Sequence, residues 1–561
     1  MDYKKLLADT VIIEGIDSEE IMSQIVPSRD KAHGDYSLPC FRLAKAAGKN
    51  PAELAKEVVG RIGCYNFLEK AEAAGPFVNF TLNKQTYAKD VLEKVLSAGE
   101  YYGNSDIGRG KTVCIDYSSV NIAKPFHIGH LLNTVLGAAL YRLHKKAGYN
   151  TVGINHLGDW GTQFGKLIVA YKLWGDDKDI EKRGVRSLVD IYVKFHKEAE
   201  KNPVLDDEAR AWFKKIEDGD EEALSIFNRF KKSTLEEVEK IYKRLNVTFD
   251  SYAGESFYND KMQPVLDLLT QKGLLVDDNG AKIVRLGDDM PPCLLVRSDG
   301  ATLYATRDLA AAFYRKKTYN FDKCLYVVAS QQNLHFRQWF KVLELAGEEW
   351  YKDLYHVAHG MVSLEEGSLS TRSGNVVYLD DVLNMAVSKS REIIKEKSED
   401  LPNPDEVAEQ IGVGAVIFGV LYNNRIKDMT FSYSRALNFD GETGPYVQYT
   451  QARCRSLLEK CSYPDCDPDY SGVAGEEAGE VLKLLDSYPD VILSAVEKYE
   501  PCYLSRFLVD LSQAFGKFYL ACNIAKSPDA VRKARLMLVK AVRGVLADGL
   551  SLLGIQSPEK M

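Results

Sequence analysis

The segment Lys111-Thr112-Val113-Cys114-Ile115-Asp116-Tyr117 is followed by a loop from Ser118 to Phe126. Then come Phe126-His127-Ile128-Gly129-His130, a run through Leu131, Val135, Leu140 and Leu143, and Thr151-Val152-Gly153-Ile154-Asn155. The first segment is short, apolar and β-branched, as a buried strand is. The run from Leu131 has helical period, and Gly148 ends it. Thr151–Asn155 reads as the next strand. Strand, helix, strand predicts an α/β domain built on a parallel, doubly wound sheet.

Working outward, Lys323 to Ser330 (KCLYVVAS) reads as a further strand and Leu334 onward as a helix. Residues from about 175 to 245 are highly charged and helical in period, which predicts a solvated helical insertion. Upstream, a helix-like run from Asn50 to Ile62 precedes Gly75-Pro76. Phe77-Val78-Asn79-Phe80-Thr81-Leu82 then alternates like a strand, so residues 1–95 predict a small α+β unit. From about 385 to the end the pattern is helical with no evident strand, which predicts an all-α bundle. The expected division is 1–95, 96–384 with the insertion at about 175–250, and 385–561.

The chain has 561 residues, 45% hydrophobic and 27% charged, with a net charge of −8. This composition belongs to a multi-domain globular protein and excludes a global polycation. Any nucleic-acid partner must meet local basic patches. No stretch approaches the roughly 18 apolar residues of a membrane span. The N-terminal MDYKKLLADTVIIEG lacks the pattern of a signal peptide. The 10 cysteines include no Cys-x-x-Cys pair. Scattered thiols without zinc spacing predict a reducing, cytoplasmic setting and no tightly bound metal.

His127-Ile128-Gly129-His130 follows a strand and opens a helix, where unpaired N–H groups and the helix dipole favour phosphate. Two histidines three apart share a helical face. Gly129 removes a side chain where a flat base would pack. A buried histidine pair or half of a metal site would fit His-x-x-His alone. The strand–loop–helix context and Lys124 favour a nucleotide. Tyr304 and Asp308 are four apart in a helix-forming run and share a face. From the residues alone, Asp308 reads as a partner of Arg307 on a solvated surface.

The run Asp116 to His130, with His-Ile-Gly-His at its end, resembles the arginyl-tRNA synthetases, a class I aminoacyl-tRNA synthetase family. So does Asn155-His156-Leu157-Gly158-Asp159-Trp160-Gly161-Thr162-Gln163-Phe164-Gly165. His33-Gly34-Asp35-Tyr36 resembles the family's N-terminal domain. Asp440 to Tyr449 resembles the entry to its anticodon-binding domain, and Leu552-Leu553-Gly554-Ile555 with Met561 its end. The resemblance implies a Rossmann-type parallel-sheet catalytic domain, a small α+β N-terminal domain and an all-α C-terminal bundle.

It also implies an ATP-dependent ligase in which arginine is activated to arginyl-adenylate and passed to tRNA(Arg). ATP would arrive with Mg²⁺ as a substrate complex. His127, Gly129 and His130 are implied at ATP. Asp116, Tyr304 and Asp308 are implied at the guanidinium, and Asn121 and Gln332 at the α-amino end of arginine. Phe77 and Asn79 are implied at the tRNA D-loop, and Tyr519 and Met561 near the anticodon. From the residues, Phe77 reads equally as core, and Arg453 and Arg455 equally as phosphate contacts or a solvated face.

One departure stands out. The class I loop Lys-Met-Ser-Lys-Ser corresponds here to Ser368-Leu369-Ser370-Thr371-Arg372-Ser373-Gly374, without either lysine. Arg372 and Lys124 are the expected substitute cations, and Ser370, Thr371 and Ser373 the expected hydroxyl donors. The resemblance further implies a monomer whose arginine activation requires tRNA. A different adenylyl-transfer enzyme and a non-catalytic tRNA-binding paralogue are the alternative classes.

Overall fold

Thr112–Asp116 (β1) is the strand its apolar run predicts, and its three central residues are fully buried. In the computed structural model it is followed by helix Leu131–Lys146 (α1) and strand Asn150–Ile154 (β2). The structure describes all residues except 1, 29, 31, 32, 123, 366–376 and 398–400. Farther along lie helix Tyr304–Tyr319 (α2), strand Lys323–Ala329 (β3), helix Asn333–Leu345 (α3) and strand Leu354–His359 (β4). The four strands form one sheet in the order β4-β3-β1-β2, all parallel, with Cys114 opposite Cys324 and Asp116 opposite Tyr326. The chain therefore runs outward in both directions from the β1/β3 boundary. That boundary is a topological switch point, where sheets of this kind leave a crevice at the carboxyl ends of the strands.

Helix α1 is apolar on nearly all sides, as a helix enclosed by protein must be. It approaches the sheet closely because Gly137 has no side chain. A Cβ there would lie 2.1 Å from Cβ of Tyr117.

The charged insertion is helical, as expected: Asp177–Arg183, Val185–Ala199, Val204–Glu217 and Glu221–Arg244. It is not only a solvated appendage. Phe195, Phe230 and Thr234 are buried within it, and Tyr242 at the end of its longest helix bonds Ser118 just beyond β1. An antiparallel meander follows, Leu275–Asp278, Ala281–Val284 and Cys293–Val296. Its first turn is Asn279-Gly280, both with positive φ, the conformation a two-residue hairpin needs. The expectation of no strand after 385 fails at Met429–Phe431, which pairs in parallel with Val362–Leu364. Three residues carry no readable period, and only the distant partner makes them a strand.

The chain divides into two compact units. One comprises Met1–Tyr102, Arg453–Tyr488 and Asp510–Leu546, and the other Gly103–Ala452, Pro489–Val509 and Ala547–Met561. The first holds the expected α+β segment. Its helix Pro51–Arg61 is capped by Asn50, and its antiparallel sheet pairs Tyr36–Pro39 and Leu68–Ala74 on either side of Phe77–Leu82. The same unit includes Lys94 on Asp486 at 2.9 Å and Lys483 on Asp35 at 2.7 Å. The second unit holds the parallel sheet. Among the described residues no helix is long and apolar enough to cross a membrane.

Burial gives the second unit a pH signature. It holds His130 down at about 3 and His144 and His356 down at about 4, and it also lowers His127, His156 and His359. Unfolded histidines titrate near ~6.5, so below that pH the unfolded chain binds more protons and stability falls as pH falls. Glu255 and Glu500, raised by burial, act in the opposite sense, but they are two against six. The melting temperature is expected to drop steadily from pH 6.5 to pH 5 by calorimetry. A flat profile would contradict this account.

Candidate functional site

The crevice begins where β1 ends. Ser118 and Ser119 take left-handed φ values of 70° and 49°, unusual for residues with side chains. Their surroundings hold them there. Ser118 Oγ bonds the hydroxyls of Thr134 and Tyr242, Asn133 Nδ2 donates to the Ser118 carbonyl, and Ser119 Oγ donates to Asp116 Oδ1. Such over-determined strain clusters at functional sites. The loop then pairs with the segment after β2 through Ile122 N–H to Gly158 O and Gly158 N–H to Val120 O. Asn121 lies directly over Gly158, where a Cβ would sit 2.3 Å from its Oδ1.

His127 and His130 do not share a helical face as the spacing suggested. His127 is extended and precedes a single 3₁₀ turn, Ile128–His130, that leads into α1. The turn folds the rings together, with centroids 3.9 Å apart. Gly129 N–H donates to Nδ1 of His127, and His127 N–H donates to Nδ1 of His130. With both Nδ1 atoms accepting, each neutral ring carries its proton on Nε2. Burial and the neighbouring cation Lys124 lower His127, and burial and His127 hold His130 at about 3. Both rings are therefore neutral Nε2–H donors at working pH. Gly129 is required by the motif itself, because a Cβ would lie 2.7 Å from the His127 ring.

Lys124 is half-buried. Burial lowers its ammonium, and Glu255 works against that. Burial pushes Glu255 up to about 7, with Asp308 and Asp159 adding to the rise and Arg307 and Lys124 opposing it.

Helix α2 brings Tyr304 and Asp308 to one face, as their spacing requires, and Tyr304 is 65% exposed. Asp308 is not the partner of Arg307. Arg307 turns inward to Glu255 at 3.8 Å, whereas Asp308 Oδ2 lies 2.6 Å from Nε2 of His335 on α3. Asp116 meets the chain's own Arg315, from two turns farther along α2, at 2.7 Å, and both groups are buried. With Ser119 on its other oxygen, Asp116 is a structural as well as a chemical group. Gln332 ends the exposed turn after β3, across the switch point from Asp116.

The residues that sequence reasoning missed are Arg315, His335, Glu255, and Asp159 with Lys231. Asp159 is fully buried and accepts from Ser256 N and Oγ and from Lys231. No local pattern marks Arg315, Glu255 or Lys231, and Asp159 lies within the run Asn155–Gly165 without a sign of its partners. Only His335, one helical turn beyond Gln332, carried a readable signal.

Ser370, Thr371, Arg372 and Ser373 lie outside the described residues. Among the described residues, no group of three or more His, Cys, Asp or Glu is placed to hold a metal ion. In the first unit, Phe77 is 37% exposed and meets Phe41 edge-on at 5.6 Å, so it is a surface ring and not core. Asn79 is on the same face but buried, and its Oδ1 accepts from Ser37 Oγ. Tyr519 is partly exposed under the guanidinium of Arg453, 5.2 Å from the ring centre. Arg455 pairs with Glu459 along its own helix. Met561, in the second unit, is partly exposed.

Residues 91–433 match the family described as tRNA synthetases class I (R), catalytic domain. Residues 447–561 match the DALR anticodon binding domain, and residues 1–82 the arginyl tRNA synthetase N terminal domain. An arginine–tRNA ligase of Clostridioides difficile is 52% identical over 551 residues, covering 98% of this chain and 97% of that protein. One of Alkaliphilus metalliredigens is 50% identical over 564 residues, covering all of both. The solved arginyl-tRNA synthetase of Thermus thermophilus superposes with a TM-score of 0.80 at 26% identity, covering 96% of each chain. The chain belongs to the class I arginyl-tRNA synthetase family.

Proposed function

We infer that this chain joins arginine to tRNA at the expense of ATP, an arginine–tRNA ligase. The observation that supports it best is the meeting of two unlike sites at one switch point. A helix entry with two Nε2–H donors faces the crevice on one side. An aromatic–acidic pair on α2 lies near it, with Glu255 acting on both Lys124 and Asp308. The first suits phosphate oxygens, and the second a planar cation.

In the first step a carboxylate oxygen of arginine attacks the α-phosphorus of ATP, which enters as its Mg²⁺ complex. Pyrophosphate leaves and arginyl-adenylate forms. In the second, a terminal ribose hydroxyl of tRNA(Arg) attacks the activated carbonyl, and AMP leaves. The protein positions the reactants and stabilises charge. His127 and His130 donate from Nε2 to phosphate oxygens as charge builds there, above the positive end of α1. Gly129 keeps the turn narrow enough for both rings. Lys124 adds a cation, and Arg372 with Ser370, Thr371 and Ser373 meets the pyrophosphate in place of the missing lysines.

Asp308 and Tyr304 hold the guanidinium. Asp116 supplies further negative charge through lone pairs that Arg315 and Ser119 leave free. Asn121 and Gln332 hold the α-amino end. Residues 1–95 carry the tRNA contacts Phe77 and Asn79, with Phe77 stacking on a base. Residues 96–384 form the catalytic domain with its insertion at about 175–250. Residues 385–561 bind the anticodon arm, with Tyr519 and Met561 near it. The enzyme acts as a cytoplasmic monomer.

ATP–pyrophosphate exchange tests the reading, run with arginine or lysine, with and without total tRNA. Exchange with arginine only, and only with tRNA present, is the expected result. Exchange without tRNA would break the expected coupling. Absence of exchange in folded protein that still binds tRNA would overturn the catalytic reading.

A further inference from the structure

Three aspartates stand around the crevice, and they differ in how they are held. Asp116 has Ser119 on one oxygen and the permanent cation Arg315 on the other. Asp159 has Ser256 and the permanent cation Lys231. Asp308 is held at Oδ2 alone, 2.6 Å from His335 Nε2, and no hydrogen bond to Oδ1 is present among the described residues. Its partner is also the one whose charge is not permanent.

We propose that His335 is the positioning residue for Asp308, and that a proton on its imidazole competes with the guanidinium of arginine for that carboxylate. This rests on the reading of Asp308 as the guanidinium anchor. The neutral ring donates from Nε2 to Oδ2, which fixes the plane of the carboxylate and leaves Oδ1 and a full negative charge for the ligand. The protonated ring already neutralises that charge. Binding of arginine then releases the proton to solvent, and apparent affinity falls as pH falls.

The groups around the pair do not supply the same effect. Tyr304 shares the helix of Asp308, and Arg307 turns to Glu255. Glu255 faces Asp308 from the 3₁₀ segment Glu255–Lys261 and His156 faces it from the loop after β2. Cys293 faces it from the meander, its thiol pushed up to about 12 by burial and by Asp308, so it stays neutral. His356 on β4 faces His335, and burial holds it down at about 4 while Nε2 bonds the Val328 carbonyl. Phe336 lies edge-on beside the His335 ring, 5.7 Å between centroids. Burial pushes Glu255 up to about 7, and the variants below separate its contribution from that of His335.

The test uses full-length protein in steady-state aminoacylation at saturating ATP and tRNA, with arginine varied from pH 8.5 to pH 6. In the wild type, KM for arginine is expected to climb as pH falls, approaching about tenfold per pH unit once the imidazole is protonated, with KM for ATP unchanged. His335→Gln keeps a donor and loses the titration. Its KM at pH 8 is expected within about threefold of wild type and flat with pH, because only the ring proton is removed. His335→Ala is expected to raise KM for arginine at every pH while kcat is retained.

A flat wild-type profile overturns the proposal without any variant. So does a His335→Gln profile with the wild-type slope, which would assign the titration to Glu255. If instead Asp308→Asn leaves KM for arginine unchanged, the anchor reading itself has failed.

Discussion

His130→Ala is expected to lower arginyl-adenylate formation by about 10²–10³-fold, the usual loss when one preorganised donor to developing charge is removed. The structure makes the expectation specific. His130 is neutral because burial and His127 hold it at about 3, and its Nδ1 is committed to the His127 N–H. What remains is one Nε2–H donor, fixed by the 3₁₀ turn before α1. The alanine variant removes that donor and the cap on the His127 amide, both within the second compact unit. tRNA binding measured by filter retention is therefore expected to stay within about threefold, since phosphate and base contacts elsewhere carry it. Exchange at the wild-type rate would remove His130 from the catalytic assignment.

Asp308→Asn is expected to lower kcat/KM for arginine by about 10²–10³-fold, the effect of losing one partner of a desolvated charge pair. The loss should fall on KM for arginine and leave KM for ATP unchanged. The substitution is isosteric, and the amide oxygen still accepts from His335, so the fold should persist. Asp116 is a poorer probe of the same pocket. Removing its charge strands Arg315 in the interior, at a cost of about 3–5 kcal/mol. An Asp116 variant would thus report on stability as much as on arginine. An Asp308→Asn enzyme with wild-type kcat/KM for arginine would refute the guanidinium anchor.

Much of the fold was legible because its signals are local. The apolar run at Val113–Ile115, the helical period from Leu131 and the stop at Gly148 each need only neighbouring residues. The helix-like run from Asn50 to Ile62 and Phe77–Leu82 as an alternating strand were readable for the same reason. Met429–Phe431 was not, since three residues become a strand only when Val362–Leu364 arrives beside them. The insertion was read as solvated from its charge, yet Tyr242 at its end closes the site through Ser118 and Asn155. A charged helix conceals its buried stripe when most of its surface is wet.

The site divides along the same line. The motif His127-Ile128-Gly129-His130, the spacing of Tyr304 and Asp308 and the class of sheet beneath them follow from residues close in the chain, because helix period, strand burial and turn chemistry are short-range effects. Which acid is free is a different kind of fact. Asp116 and Asp308 look alike in sequence. One is bound to a permanent cation from α2 and the other to a titratable ring from α3. Electrostatic partners are chosen by what the parallel sheet and its crossover helices bring within a few ångströms, and that distance exists only after the chain has folded.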